Sequence, residues 1–199
     1  MRIALLVIVL AALAASAIAP HDRAIWFAEV FPVLVVLPLL VLTAHRFPLT
    51  AVTYVMIALF ALILILGGTY TYARVPLGFA LQDWFDLARN PYDRIGHFFQ
   101  GATPAIVARE LLLRTSPLRA GKWLFVVVTL SCLGISAAYE IIEWQAAVWW
   151  ADGSVAFLGT QGDVWDAQWD MFLALCGAVT AQVLLSGLHD RQLARLTPA

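Results

Sequence analysis

Charge is what this chain lacks most. Only 13% of its 199 residues are Asp, Glu, Lys or Arg, against about a quarter in a typical soluble domain. Hydrophobic residues make up 62% and the mean hydropathy is +0.85, so too little polar surface exists for a water-soluble globular fold. Neither sign of charge dominates: the net charge is -1. No basic patch interleaves with aromatics, which excludes nucleic acid as a partner. Cysteine is nearly absent as well. Cys132 and Cys176 both sit inside apolar runs, where they read as small packing residues and give no disulfide framework or zinc site. No cofactor fingerprint and no soluble domain is present.

What the chain does have is long apolar runs. They predict an all-α polytopic membrane bundle of about six transmembrane helices, a single integral domain over residues 1–199 with membrane lipids as its surroundings. The spans fall at approximately 3–19, 24–44, 48–72, 93–113, 123–147 and 166–189, near the roughly 20 residues that cross a bilayer. The first follows Arg2 and ends in Ala-rich sequence, a pattern shared with cleavable signal peptides; it is read as a retained helix. The second carries Pro32, Pro38 and a lone acid, Glu29. The third ends in Thr69, Tyr70, Thr71 and Tyr72, suited to the headgroup level. Between the third and fourth, Leu77, Leu81, Trp84, Phe85 and Ala88 recur at helical spacing, while Gln82, Asp83, Asp86, Arg89 and Asn90 take the opposite face. That pattern predicts one interfacial amphipathic helix within residues 73–91. A Trp- and Gly-containing lid joins the fifth and sixth spans.

Lys and Arg set the orientation. Eight of them (Arg2, Arg46, Arg109, Arg114, Arg119, Lys122, Arg191 and Arg195) fall on the side of the two termini, and four (Arg23, Arg74, Arg89 and Arg94) on the other. Both termini are therefore expected in the cytoplasm of a cell with this protein in its inner membrane.

The polar residues then converge. In GTQGDVWDAQWD, residues 159–170, Asp163, Asp166 and Asp170 are spaced by three and four, which puts them on one helical face. Asp93 and His97 open the fourth span at the same outer end. Glu140 lies about 27 Å along the fifth span from Lys122, one turn from Glu143, and Glu29 falls at similar depth. Every buried-looking acid is thus expected at the extracytoplasmic edge, with apolar inner halves.

Three readings compete for this cluster. Five or more carboxylates around an imidazole cannot all ionise without a cation, and oxygen donors with one His suit a divalent metal ion. Glu140, Asp163, Asp166 and Asp170 are the candidate metal ligands. His97, Glu143 and Asp166 are the candidate catalytic acid–base groups. Arg94, Gln100, Gln161 and Trp165 are the candidate binders of an envelope lipid or lipid-linked headgroup. The second reading is a small transporter or proton relay, disfavoured by apolar inner halves; the third is a polar network tying helix ends, with Trp144, Trp149, Trp150, Trp165 and Trp169 as interface anchors. His97 is equally placed to be held by Asp93, four residues earlier. His21, His45 and His189 read as solvated span ends, Pro104 as a kink, and Gly101 and Gly177 as close-packing positions. Gly162, Asp166 and Asp170 also match the second half of the CDP-alcohol phosphotransferase signature. Its first half is missing, so the match is read as coincidence.

The strings YDRIGHFFQG (92–101), ARELLLR (108–114), YEIIEW (139–144) and AFLGTQGDVWDAQWDM (156–171) together resemble the YjdF-type bacterial inner-membrane family. The likeness runs from about residue 20 to HDRQL at 189–193 and implies architecture more than chemistry. A more distant resemblance is to VanZ-like envelope proteins, through Arg94 and His97, Glu140 and Glu143, and Asp166 and Asp170. Glu143 stands where that pattern has Gln, and Asp170 where it has Asn, which makes this site more acidic.

Overall fold

A computed structural model describes residues 1–149 and 160–196. Regular structure among them is entirely helical: α1 (Arg2–Ser16), α2 (Arg23–Thr43), α3 (Ala51–Tyr70), α4 (Pro76–Phe85), α5 (Tyr92–Thr115), α6 (Lys122–Trp149) and α7 (Asp166–Leu196), with a 3-10 turn at Tyr72–Arg74. Residues 150–159 of the expected lid, including Trp150, lie outside the described residues.

All helices except α4 run between two common ends. At one end the His21 N–H donates to the Thr69 carbonyl at 2.8 Å, and Arg74 lies 2.8 Å from the His21 ring. At the other, Arg2 sits 5.1 Å above the Tyr54 ring and the Val52 N–H donates to Gln192 at 2.9 Å. The start of α1 and the end of α7 therefore share an end, and α5 and α7 run parallel with α6 antiparallel to both.

Four helices, α2, α3, α6 and α7, are long and apolar enough to cross a membrane. α1 is apolar but only 15 residues long. α5 has the length, 24 residues, but carries Asp93, Arg94, Arg109, Glu110 and Arg114, so it needs neighbours that accept its polar face. α4 is shorter than the amphipathic pattern suggests. Asp86 adopts a left-handed conformation (φ 49°) that ends the helix after Phe85, so Ala88 falls in the connection to α5. Its Trp84 and Phe85 are exposed, as an interfacial face requires.

Two apolar cores share α3. One joins Val9, Val30, Val33, Ala61 and Leu64; the other joins Ala102, Ala105, Ile106, Leu124, Val128 and Ala178. The most extensive pairing is α5 with α7, and glycine decides how close these two come. A methyl on Gly101 would overlap the Ala174 carbonyl oxygen, and one on Gly177 would overlap that of Phe98. Small residues let backbones touch in this way where lipid supplies no hydrophobic drive between helices.

Gly101→Val is expected to force the pair apart at a cost of roughly 1–3 kcal/mol, seen as a lower thermal midpoint in detergent. Gly134→Ala is the control, since a methyl there meets nothing within 4 Å. An unchanged midpoint in Gly101→Val would show that the contact does not constrain the fold.

Candidate functional site

The end of the bundle away from the termini holds the carboxylate cluster. Asp93, His97 and Gln100 follow one face of α5, Glu140 and Glu143 face them from α6, and Asp166 and Asp170 come from the first turns of α7. Glu29 of α2, Asp93, His97, Glu143, Asp166 and Asp170 are all buried. Tyr72 closes the α2 side. Its ring fits because Gly67 and Gly96 flank it; a methyl on either would lie 2.5 Å or 2.9 Å from ring carbons. The Tyr72 hydroxyl hydrogen-bonds with the Glu29 carboxyl.

Two arginines divide the acids. Arg89 donates to Asp166 at 2.6 Å and to the Thr160 carbonyl at 2.9 Å, and its second amino group lies 3.5 Å from Asp93 Oδ2. Arg94 donates to Asp163 at 3.0 Å and stacks 5.2 Å from the Trp169 ring centre. Asp163 and Asp166 are thereby neutralised. Among the described residues, Glu140, Glu143 and Asp170 form no ion pair with Lys or Arg.

His97 sits at the centre of this second group. Its Nδ1 is 2.8 Å from Gln100 Oε1 and 3.9 Å from Glu140 Oε1; its Nε2 is 3.5 Å from Asp93 Oδ1 and 3.7 Å from Asp170 Oδ2. Gln100 Oε1 also faces the Ser136 hydroxyl at 3.5 Å. With Gln100 assigned this way the oxygen accepts from Nδ1–H, and Nε2 is left facing two carboxylates.

The residues singled out from sequence take different places. His97, Glu143, Gln100, Glu140 and Asp170 gather in one polar cluster between α5, α6 and α7, whereas Asp163 and Asp166 belong to the arginine network beside it. Gln161 exchanges hydrogen bonds with the Asn90 backbone at 3.0 and 3.2 Å, pinning the segment before α7 to the segment before α5. Trp165 is exposed and lines a shallow hollow of about 420 Å³ with Gln168, Trp169 and Phe172. The amphipathic pattern assigns Arg89 to a solvated helix face. It is instead the central clamp, and its position just before Pro91 and α5 is the one signal of this in the sequence.

A family model described as "Predicted membrane protein (DUF2238)" matches residues 1–191. The chain belongs to the DUF2238 family. It is 52% identical over 180 residues to "Inner membrane protein YjdF" of Escherichia coli strain K12, covering 90% of this chain and 86% of that one. No solved structure matches. The YjdF-type resemblance is thus the family itself, and this is an integral inner-membrane protein.

The matched region includes a second polar cluster, which corrects the expectation that every buried acid lies at one edge. Glu110 is fully buried near the opposite end of α5, about 25 Å from Asp93 along the helix. It accepts from the Thr50 N–H, the Thr50 and Thr53 hydroxyls at 2.8 and 2.6 Å, and Arg114 at 2.9 Å. His189, expected in solvent, is also fully buried. Arg109 donates to its Nδ1 at 3.0 Å, so its Nε2 carries the proton and donates to Glu110 at 3.1 Å. Arg109 also pairs with Asp190 at 2.7 Å. In sequence Glu110 looks like one acid within a basic helix end. Only the tertiary partners from α3 and α7 draw it inside.

Glu110→Leu is expected to destabilise by about 3–5 kcal/mol, because it leaves buried donors and charge without their partner. Asp163→Asn, with its half-open pair to Arg94, should cost less than about 1 kcal/mol. Thermal unfolding of both variants checks the ranking, and equal midpoints would refute it.

Proposed function

We propose that this protein performs acid–base chemistry on the headgroup of an envelope lipid or lipid-linked substrate at the extracytoplasmic leaflet of the inner membrane. The observation that carries the reading is His97, buried among Asp93, Asp170 and Glu140, with Arg94 and Trp169, sequence neighbours of Asp93 and Asp170, stacked on each other at the same helix ends. Exposed indoles and a guanidinium at helix ends suit a headgroup held at the interface. Beside them, an imidazole between carboxylates can take or give a proton. Glu143, one turn from Glu140, supplies a second proton carrier, and Asp166 is poised by Arg89. In this reading Arg94 and Trp165 meet the headgroup, and Gln100 holds the His97 tautomer.

Orientation rests on the excess of Lys and Arg at the end shared by both termini. That excess supports cytoplasmic termini and an extracytoplasmic carboxylate cluster. A C-terminal green fluorescent protein fusion should fluoresce, and a cysteine at exposed Val164 should react with an impermeant maleimide from the periplasm. Labelling from the cytoplasm alone would invert the assignment.

A proton relay is the second reading, favoured by ionisable groups at both ends of α5. Between Gln100 and Glu110, however, the polar side chains of α5 are Thr103, engaged with the Met56 carbonyl at 3.3 Å, and Arg109, engaged with His189 and Asp190. No continuous polar path along α5 supports it.

The chemical test is comparative lipid profiling of cells lacking the protein and complemented with wild type or His97→Gln. The variant is expected to reach the membrane normally and to leave the lipid profile as in the deletion, with loss of turnover of about 10²–10⁴-fold once a substrate is isolated. Full restoration by His97→Gln would end the acid–base reading. Proton uptake by proteoliposomes that His97→Gln abolishes would favour the relay.

A further inference from the structure

We propose that Asp93, His97 and Asp170 bind one divalent first-row cation of the Mn²⁺ or Zn²⁺ type, with solvent or substrate completing its coordination. The inference rests on reading this end of the bundle as the functional site, and it changes the ligand set that the sequence suggests; with the ion bound, His97 Nε2 is a ligand and proton transfer falls to Glu143.

Geometry comes first. One ligand atom from each of Asp93, His97 and Asp170 lies within 4.8 Å of the other two, and all three residues are buried. Two ligands at about 2.2 Å from one ion are at most about 4.4 Å apart, so a closure of a few tenths of an ångström brings the three onto a single centre. Glu140 Oε1 lies 3.9 Å from His97 Nδ1, the ring nitrogen turned away from this centre, so Glu140 stands beside the three-atom set and is not part of it.

The hydrogen bonds point to a missing positive partner. Asp170, whose side chain is 3% exposed, has an Oδ1 without a hydrogen-bond partner among the described residues, and so does Glu140 Oε1. Buried carboxylate oxygens are seldom left this way. His97 is arranged as metal-bound histidines are. Nδ1 donates to Gln100 Oε1 at 2.8 Å, which fixes the tautomer and turns the Nε2 lone pair towards Asp93 and Asp170. An imidazole lone pair facing two carboxylates is repulsive unless a cation or proton lies between them.

Charge then separates ligands from non-ligands. Asp163 and Asp166 have Arg94 and Arg89 as counter-ions. Asp93 divides its oxygens, Oδ2 towards Arg89 at 3.5 Å and Oδ1 towards His97 at 3.5 Å. One nitrogen among oxygens favours Mn²⁺ or Zn²⁺ over Ca²⁺ or Mg²⁺, which prefer oxygen alone.

The test uses the full-length chain in detergent, stripped with chelator and titrated with Mn²⁺ or Zn²⁺. Mn²⁺ is followed by electron paramagnetic resonance, and both ions by elemental analysis and thermal midpoint. Wild type and Asp163→Asn should bind about one ion per chain with a raised midpoint. Asp170→Asn and Asp93→Asn should each lose binding, and Gln100→Leu, which removes the partner of His97 Nδ1, should weaken it by about 10–100-fold. Wild type that takes up no ion, or Asp170→Asn that binds as wild type does, overturns the proposal; so does loss of binding in Asp163→Asn. Should one aspartate variant fail to fold, the other and Gln100→Leu still decide. Ion binding lost in Asp170→Asn, in a protein whose His97→Gln variant restores the lipid profile, would uphold the ligand set and overturn only the acid–base reading.

Discussion

The contact between α5 and α7 at Gly101 and Gly177 is the constraint from which both polar clusters follow. The helices are parallel, and each glycine receives a backbone carbonyl of the other helix. Towards one end this brings Asp170 opposite His97; towards the other it brings His189 opposite Arg109 and Glu110. Neither cluster is held by α5 alone. A shift of one residue in α7 would rotate its acids by about 100° away from the imidazole, so the small residues at the crossing set the register of the chemistry.

The two clusters solve the same electrostatic problem differently. Around Glu110, two arginines, a neutral imidazole and two threonine hydroxyls satisfy the charges locally, with Asp190 completing the balance. That set is closed and suits a structural role. Around His97 the balance is incomplete. Arg89 and Arg94 are engaged by Asp163, Asp166 and part of Asp93, and buried carboxylate oxygens of Glu140 and Asp170 are left over. A membrane protein keeps such an imbalance at a cost, and the cost is localised to the cluster around His97.

Much of this is legible in the order of the residues alone. The all-helical membrane bundle follows from scarce charge and long apolar runs, and the gathering of Asp93, His97, Glu140, Asp166 and Asp170 follows from helical spacing and alternation of spans. Gly101 and Gly177 also read correctly as close-packing sites. Partner choice is what local pattern hides. Spacing treats Asp163, Asp166 and Asp170 as equivalent, yet Arg89 and Arg94 take the first two and leave the third to His97. Glu110 and His189 lie 79 residues apart, and no local pattern distinguishes a buried pair at that separation from two solvated helix ends. The extent of α4 escapes as well, because the left-handed Asp86 is a backbone choice that amphipathic periodicity does not encode.

The polarity of α5 has a consequence for biogenesis. Asp93, Arg94, Arg109, Glu110 and Arg114 make it a poor candidate for spontaneous partitioning from the translocon into lipid. The side chains that match its two ends from downstream, Asp170 and His189, are synthesised more than 70 residues later. α5 therefore has to wait beside the insertion machinery, or against α3 with Thr50 and Thr53 on Glu110, until α7 emerges. Membrane integration of this chain is in that sense a tertiary folding event, completed only when its last helix docks.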